Sequence, residues 1–253
     1  MSKIIAVVNQ KGGVAKTTTA VNLGAALAMA EKRVLLVDID PQANSTSGLG
    51  LEKYDDRPDV YHCLVENTPL ENALHTTDLP FLKLLPANKN LVGAELELVD
   101  REDREFRLKN TLKPGKASFD YILIDSPPSL GLLTINAMVA ADQLLIPVQA
   151  EYFALEGVSE LLDTVQRVKA TFNPGLSIRG FVVTMVDERT NLSLQVEDEV
   201  RNAFGELVFD TVIPRNVRVA EAPSFGKPVM LYDVTSRGAT AYLKLAQEFG
   251  SHG

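Results

Sequence analysis

The chain is 253 residues long, with 45% hydrophobic and 23% charged residues and a formal net charge of −8 at pH 7. This composition is ordinary for a globular protein, and the length is sufficient for one large α/β domain, expected over residues 1–253. The acidic balance argues against a broadly basic nucleic-acid-binding surface, but it is compatible with a local basic patch, especially one assembled across a dimer.

Cysteine content and apolar run length exclude further classes of protein. Cys63 is the only cysteine, so the sequence has no internal disulfide and no paired-cysteine metal or cluster motif. This content fits a reducing cytoplasm. The N-terminal apolar run is too short for a signal peptide, and no apolar run is long enough to span a bilayer. We therefore expect a soluble, cytoplasmic protein.

The first element along the chain is KIIAVVNQKGGVAKTTT, at residues 3–19. The β-branched run Ile4–Val8 is typical of a buried parallel strand, and the Gly12–Gly13 pair permits the turn that must follow. The small and apolar residues after Lys16 predict a helix. Loop N–H groups and the helix dipole would then converge on a phosphate, with the Lys16 charge beside it and the Thr17 hydroxyl placed to bind Mg²⁺.

A second buried strand is predicted at Arg33–Asp38, and it ends in the acidic sequence DIDPQ. Ligands of open α/β sheets lie at the carboxyl ends of the strands, so Asp38 and Asp40 are expected near the phosphate loop. A simple turn-capping role stays open for Asp38. Asp40 is the better candidate for a chemical role.

Residues 51–112 carry weaker patterns. They include a helical piece, VYHCLVEN, a strand at Phe81–Leu85 and an acidic run, ELELVDREDREFRL, which we interpret as a solvated helix face. His62 and His75 have no His or Cys at ligand spacing, so no metal role is expected for them.

A further buried strand is predicted at Phe119–Asp125, followed by SPPSLG. An apolar strand that delivers an aspartate is the arrangement that binds Mg²⁺ or one of its waters, which makes Asp125 the candidate. Pro127 and Pro128 restrict the loop after it. Such a loop suits a switch element that senses a γ-phosphate.

The remaining chain alternates strands with helices, which predicts an α/β fold with a mostly parallel twisted sheet and helices on both faces. The strands are expected at Gln143–Gln149, Ile178–Val186 and Leu207–Pro214, and the helices at Leu155–Phe172, Leu194–Phe204 and about Gly238–Phe249.

The loop after the first strand departs from the standard phosphate-binding pattern G-x-x-x-x-G-K-[ST], because Gln10 and Ala15 stand where glycine is required. Two lysines, Lys11 and Lys16, instead flank GGV in the form KGG-x-x-K-T. With RVLLVDIDPQANSTSGLG downstream, these residues resemble the deviant Walker A ATPases of the MinD/ParA superfamily of P-loop NTPases. They look like the ParA/Soj type, which partitions chromosomes and plasmids, and the resemblance is weakest between about residues 51 and 116.

The resemblance implies ATP and Mg²⁺ as cofactors and slow ATP hydrolysis. Lys11 matches a signature lysine that crosses a dimer interface to the phosphates of the other subunit, and with Lys16 and Asp40 it forms the implied catalytic set. Asp40 would face the attacking water, while Thr17 and, through a water, Asp125 would hold Mg²⁺. The implied nucleotide contacts are Lys11, Gly12, Gly13, Val14, Ala15, Lys16, Thr17, Thr18 and, at the adenine, Pro214 and Arg215.

The resemblance also implies partners. ATP would join two copies into a homodimer, and Arg189 and Arg218 match positions that carry non-specific double-stranded DNA binding in Soj-like proteins. A ParB/Spo0J-like centromere-binding protein would stimulate hydrolysis, and the protein would associate with the nucleoid. The C-terminal segment TAYLKLAQEFGSHG has a polar tail and is not a basic amphipathic helix, so no membrane binding is expected.

Alternative interpretations stay open. An isolated arginine is more often part of a surface salt bridge, and Asp187, Glu188 and Glu221 lie close in sequence to the two arginines. A nucleotide-switched protein that positions a protein cargo without binding DNA is the alternative function. An Fe–S-bearing relative is opposed by the single Cys63, since such proteins need at least a bridging cysteine pair.

The alanine at position 15, where the standard phosphate-binding pattern has glycine, has a physical consequence. If its backbone requires positive φ, its methyl group is strained and can crowd the phosphates or a facing subunit, whereas helical φ would carry no cost.

Overall fold

The computed structural model describes residues 2–53, 57–152 and 154–251. The predicted ends of the domain, residues 1 and 253, and the last two residues of the polar tail lie outside these ranges. The described part is built on an eight-stranded sheet with the order β3-β4-β2-β5-β1-β6-β7-β8. The strands are β1 Lys3–Val7, β2 Val34–Asp38, β3 His75–Thr76, β4 Leu82–Leu85, β5 Tyr121–Asp125, β6 Gln143–Gln149, β7 Ser177–Val186 and β8 Ile213–Pro214.

Every strand pair of this sheet is parallel except β3 with β4. The α-helices of the described part are α1 Lys16–Met29, α2 Asn44–Gly48, α3 Val60–Val65, α4 Leu70–Ala73, α5 Leu91–Glu97, α6 Arg107–Leu112, α7 Leu132–Ala140, α8 Ala154–Thr171, α9 Asn191–Phe204, α10 Val217–Glu221, α11 Val229–Tyr232 and α12 Arg237–Ser251.

Helices cover both faces of the sheet, because alternate residues of a strand point to opposite sides. Ile5 and Val7 of β1 share one core with α1, α11 and α12, whereas Ile4 and Ala6 share a second core with α7, α8 and α9. The central strands are therefore buried on both sides, which is why they consist of continuous apolar runs. The predicted fold class is confirmed.

The strand predicted over Leu207–Pro214 is wrong for most of its length. Only Ile213–Pro214 forms a strand beside β7; Val208 makes an isolated parallel bridge to Phe181 of β7, and Gly205–Leu207 forms a 3₁₀ turn. In the intervening segment a side chain replaces the strand hydrogen bonds. The Glu248 carboxylate accepts hydrogen bonds from the N–H groups of Asp210 and Thr211 at 2.6 and 2.9 Å. These N–H groups therefore need no neighbouring strand.

The acidic run interpreted as one solvated helix face is instead interrupted. It contains the end of α5, a 3₁₀ turn at Arg104–Phe106 and the start of α6. Arg104 donates to Val99 O at 2.6 Å, and Asn136 Nδ2 donates to Arg104 O at 2.8 Å. Side chains thus satisfy the carbonyl groups at the break, and Leu98 within the run is buried. In the described residues, no helix combines the length and apolar character that crossing a membrane requires.

Candidate nucleotide site

The loop between β1 and α1 lies at the centre of the sheet, because β1 pairs with both β5 and β6. Gly13 has φ +78° and Ala15 has φ +68°. Ala15 thus adopts the strained alternative, in a left-handed conformation that costs an alanine about 1–2 kcal/mol. It directly precedes α1, and its carbonyl oxygen accepts from Thr19 N at 2.8 Å.

Neighbouring strands fix the shape of this loop. Asn9 Nδ2 donates to Pro147 O of β6 at 2.8 Å, and Asn9 Oδ1 accepts from Lys11 N at 2.9 Å. Thr184 Oγ1 of β7 donates to Val14 O at 3.1 Å. The backbone conformation is therefore held by contacts outside the loop itself.

Lys16, the first residue of α1, is 7% exposed, and its Nζ donates to Lys11 O at 3.2 Å. Burial lowers the pKa of Lys16, while the nearby carboxyl groups of Asp125 and Asp40 act in the opposite direction. Thr17 and Thr18 follow in the first turn. A desolvated ammonium at a helix N-terminus, facing two acids, is a strong site for an anion accompanied by a cation.

The two strand-end acids lie opposite one another, since Asp38 of β2 pairs with Asp125 of β5, and both are fully buried. Asp38 Oδ2 accepts from the N and Oγ1 atoms of Thr46, both at 2.8 Å, and Asp38 Oδ1 accepts from Asp40 N at 3.1 Å. Both oxygens of Asp38 are thus engaged in holding the turn after β2. This is the turn-capping alternative for that residue.

Asp125 makes fewer hydrogen bonds than Asp38. Its Oδ2 accepts from Ser45 Oγ at 2.8 Å, but its buried Oδ1 has no hydrogen-bond partner among the described residues. Burial and the adjacent Asp38 raise the pKa of Asp125, whereas hydrogen bonding from Ser45 and Thr17 favours the charged form. Such an atom requires a partner, and a hard cation or its water is a suitable one.

These donors fit Mg²⁺, which prefers oxygen ligands and retains several waters. The described residues contain no group of three or more His, Cys, Asp or Glu able to hold a metal. A Mg²⁺ ion at Asp125 and Thr17 would therefore depend on water and phosphate oxygens for its remaining ligands. Asp40 lies nearby, 7% exposed, and its Oδ1 accepts from Gln42 N at 2.9 Å.

Lys11 lies on the outer side of the loop. Its Nζ is 3.6 Å from Glu151 Oε2, and Glu151 Oε1 is 3.9 Å from Arg215 Nη2. Pro214 ends β8, and Arg215 N donates to Val186 O at 2.9 Å. One carboxylate therefore links the loop lysine to the predicted adenine segment. Glu151 was not predicted as a site residue, although its position directly after β6, at the carboxyl edge of the sheet, was a usable signal.

Arg189 and Arg218 lie apart from the loop, on adjoining surface segments. Arg189 pairs with Asp187 at 2.7 Å, and Arg218 pairs with Glu221 at 2.9 Å and with Asp233 at 3.4 Å. The segments meet because Glu188 pairs with Arg237 at 2.8 Å, and the next residue of α12 packs against the α10 region. The structure thus brings the two arginines into one region of the surface, each beside a carboxylate.

Comparison with known proteins agrees with this geometry. Residues 2–178 match the AAA domain family. The chain is 56% identical over 253 residues to the sporulation initiation inhibitor protein Soj of Bacillus subtilis (strain 168), covering 100% of both chains. It is 52% identical over 248 residues to the chromosome partitioning protein ParA of Myxococcus xanthus (strain DK1622), covering 98% of this chain and 88% of that protein.

A solved structure is similar over nearly the whole chain. It is described as cobyrinic acid a,c-diamide synthase from Mycobacterium smegmatis with bound ATP analogue and magnesium, and it matches with a TM-score of 0.85 and 39% identity, covering 98% of this chain and 93% of that one. By the extent and identity of these matches, the chain belongs to the AAA domain family and, within it, to the ParA/Soj group of chromosome-partitioning proteins.

Proposed function

We propose that this chain is an ATP-hydrolysing partition protein that dimerises on ATP, binds double-stranded DNA non-specifically in that state and acts with a ParB/Spo0J-like partner that stimulates slow hydrolysis. The observation that carries the proposal is the buried Lys16 ammonium at the start of α1, set against the carboxyl groups of Asp40 and Asp125. The phosphates of ATP supply negative charge opposite the ammonium, and Mg²⁺ supplies positive charge opposite the two carboxyl groups.

The proposal gives each group of site residues a role. Lys16 and the N–H groups of residues 12–18 bind the phosphates, and Lys16 offsets charge on the transferred group. Thr17 and, through a water, Asp125 would hold Mg²⁺, which when bound would supply charge neutralisation at the phosphate oxygens. Asp40 orients the attacking water. Pro214 and Arg215 contact the adenine.

Dimerisation is supported by the exposed side of the loop. An added Cβ at Gly12 or Gly13 would have no atom within 4 Å, so packing within the described chain does not explain a glycine at position 12. A facing backbone would explain it, because glycine permits close approach. In the proposed dimer, Lys11 leaves Glu151 and reaches the phosphates bound by the other subunit.

DNA binding is assigned to Arg189 and Arg218. Pairing two weak patches in a dimer raises affinity through effective concentration, and hydrolysis releases DNA by separating the patches. The carboxylates of Asp187 and Glu221 compete with DNA phosphate for these arginines. Binding is therefore modest and strongly dependent on salt.

An amide-transfer activity, which the description of the mycobacterial structure suggests for that protein, has less support here. A cysteine nucleophile requires an accessible thiolate. Cys63 is buried, and burial raises the pKa of its thiol to about 12. The cargo-positioning alternative shares the nucleotide site and differs only in its independence from DNA.

Binding to arbitrary duplex DNA, measured across a salt series with ATP or a slowly hydrolysed analogue, tests the proposal. We expect ATP-dependent binding that weakens steeply with salt and falls in Arg189→Ala and Arg218→Ala. The absence of DNA binding in every nucleotide state would favour cargo positioning instead.

A further inference from the structure

Asn22 is a polar residue in the buried part of helix α1. Its side chain is 4% exposed, and its neighbours in sequence on both sides belong to the apolar core. A buried amide needs partners for both its donor and its acceptor. Asn22 Nδ2 donates to Thr18 O at 2.8 Å, and Asn22 Oδ1 accepts from Val229 N at 2.7 Å. One side chain therefore bridges the first turn of α1 and the start of α11.

The Thr18 end of this bridge lies at the nucleotide site. Thr18 belongs to the first turn of α1, two residues after Lys16, and it is one of the predicted nucleotide contacts. The N–H groups of a first helical turn are the groups that bind an anion. A phosphate bound there would restrain the turn, and the hydrogen bond from Asn22 would carry that restraint from the Thr18 carbonyl into the core.

The Val229 end of the bridge leads to Arg218. Val229 is the first residue of α11 and is fully buried, and its carbonyl oxygen accepts from Asp233 N, one turn later, at 2.8 Å. Asp233 Oδ2 lies 3.4 Å from Arg218 Nε, and the Arg218 side chain is 52% exposed. A connected set of three hydrogen bonds and one ion pair therefore runs from Thr18 to a surface arginine.

We infer that Asn22 is a positioning residue that couples nucleotide binding at α1 to helix α11 and, through Asp233, to Arg218. The inference rests on the proposed function, because it assigns a route between the proposed ATP site and a proposed DNA-binding arginine. With ATP bound, the bridge fixes α11 and thereby the place of Arg218 on the surface. Without the bridge, α11 does not respond to nucleotide. Coupling is reciprocal, so bound DNA tightens ATP binding by the same factor.

Asn136 of α7 provides a matched control. It is fully buried, its Nδ2 donates to Leu132 O, four residues earlier, at 3.0 Å, and its Oδ1 accepts from Leu108 N of α6 at 3.0 Å. Asn22 makes the same two kinds of bond, to a carbonyl of its own helix and to an N–H group of another. Helix α7 packs in the core on the other face of the sheet. Asn136→Ala therefore removes equivalent hydrogen bonds away from the route to Arg218.

Amide hydrogen exchange of the full chain, with and without Mg²⁺ and a slowly hydrolysed ATP analogue, tests the inference. In wild type we expect the analogue to slow exchange at residues 12–19 and also at residues 231–233. The second effect should be at least about fivefold, the lower end of the range for coupled sites. The N–H groups of residues 231–233 donate to the carbonyls of Pro228 and Val229, so none of them bonds to Asn22 directly.

The variants separate the route from general loosening of the structure. In Asn22→Ala the slowing at residues 12–19 should remain and the slowing at residues 231–233 should disappear, whereas Asn136→Ala should keep both. Asn22→Ser is a second, milder variant. Its hydroxyl can still donate to the carbonyl four residues earlier, but it is too short to reach Val229 N. We expect it to lose the slowing at residues 231–233 as Asn22→Ala does.

The remaining outcomes overturn the inference. Slowing at residues 12–19 alone in wild type would leave the nucleotide site intact and remove the coupling. Slowing at residues 231–233 that survives in the Asn22 variants would place the route elsewhere, and its equal loss in Asn136→Ala would mean general loosening. No slowing in either region of wild type would overturn the proposed ATP site, and the inference with it.

Discussion

Lys16 Nζ lies 3.2 Å from the main-chain oxygen of Lys11, so the two lysines of the loop are joined by one hydrogen bond. The ammonium is buried, and this carbonyl oxygen is its one hydrogen-bond acceptor among the described residues. We expect Lys16→Ala to weaken ATP binding at least about tenfold, because a hydrogen bond to a charged group contributes about 1.5–3 kcal/mol. Calorimetric titration with ATP measures this, with the exposed Lys32→Ala as control. Unchanged affinity in Lys16→Ala would remove this residue from the site.

The buried acid pair makes stability depend on pH. Burial raises the pKa of Asp125, so the folded protein binds more protons than the unfolded chain at pH values above the usual aspartate range. The free energy of unfolding therefore falls as pH rises from about 4 through neutrality. We expect Asp125→Asn to raise it by about 1–3 kcal/mol at pH 8, without Mg²⁺ or nucleotide, and to flatten its pH dependence.

Urea denaturation at a series of pH values measures this effect, with the exposed Asp78→Asn as control. The same Asp125→Asn protein should lose Mg²⁺-dependent ATP hydrolysis, because the carboxylate proposed to hold Mg²⁺ through a water is gone. A variant less stable than wild type at pH 8 would contradict the assignment of a desolvation cost to Asp125.

Ala15→Gly tests the strain at the start of α1. Glycine removes about 1–2 kcal/mol of left-handed strain but adds about 0.5–1 kcal/mol of chain entropy cost, so the free energy of unfolding should rise by no more than about 1 kcal/mol. Turnover should change less than tenfold, which corresponds to about 1.4 kcal/mol. Ala20→Gly, inside α1, should instead destabilise. A change from inactive to fully active in Ala15→Gly would mean that the methyl group had disabled the site.

The ion pairs at the surface arginines predict an unusual gain of function. Asp187→Asn frees Arg189 from its carboxylate, whereas Glu221→Gln leaves Arg218 paired with Asp233 at 3.4 Å. We expect Asp187→Asn to strengthen DNA binding in ATP about two- to fivefold, and Glu221→Gln to strengthen it less. Glu31→Gln is the charge-matched control, because Glu31 follows α1 at the opposite edge of the sheet. If all three variants strengthen binding equally, net charge and not local pairing is responsible.

Sequence patterns predicted the strands that are buried on both faces of the sheet and end at its carboxyl edge, where the candidate site lies. The loop from β1 to α1 and the acids after β2 and β5 were identifiable because an apolar strand followed by polar residues is a local signal. Helix α7 was missed because most of its residues are buried, which removes the helical periodicity. The segment at 207–212 was misassigned because Glu248, distant in sequence, takes the N–H groups of Asp210 and Thr211. Glu151 belongs to no motif, and only its position directly after β6, at the carboxyl edge of the sheet, could have indicated it.

The proposed switch depends on ATP joining two copies of the chain through Lys11. Sedimentation velocity of wild type, Lys11→Ala and Lys16→Ala with Mg²⁺ and a slowly hydrolysed ATP analogue tests it most directly. We predict that wild type sediments as a dimer, that Lys11→Ala binds the analogue but remains a monomer, and that Lys16→Ala neither binds nor dimerises. A wild-type monomer with bound analogue, or a Lys11→Ala dimer as stable as wild type, would contradict the account.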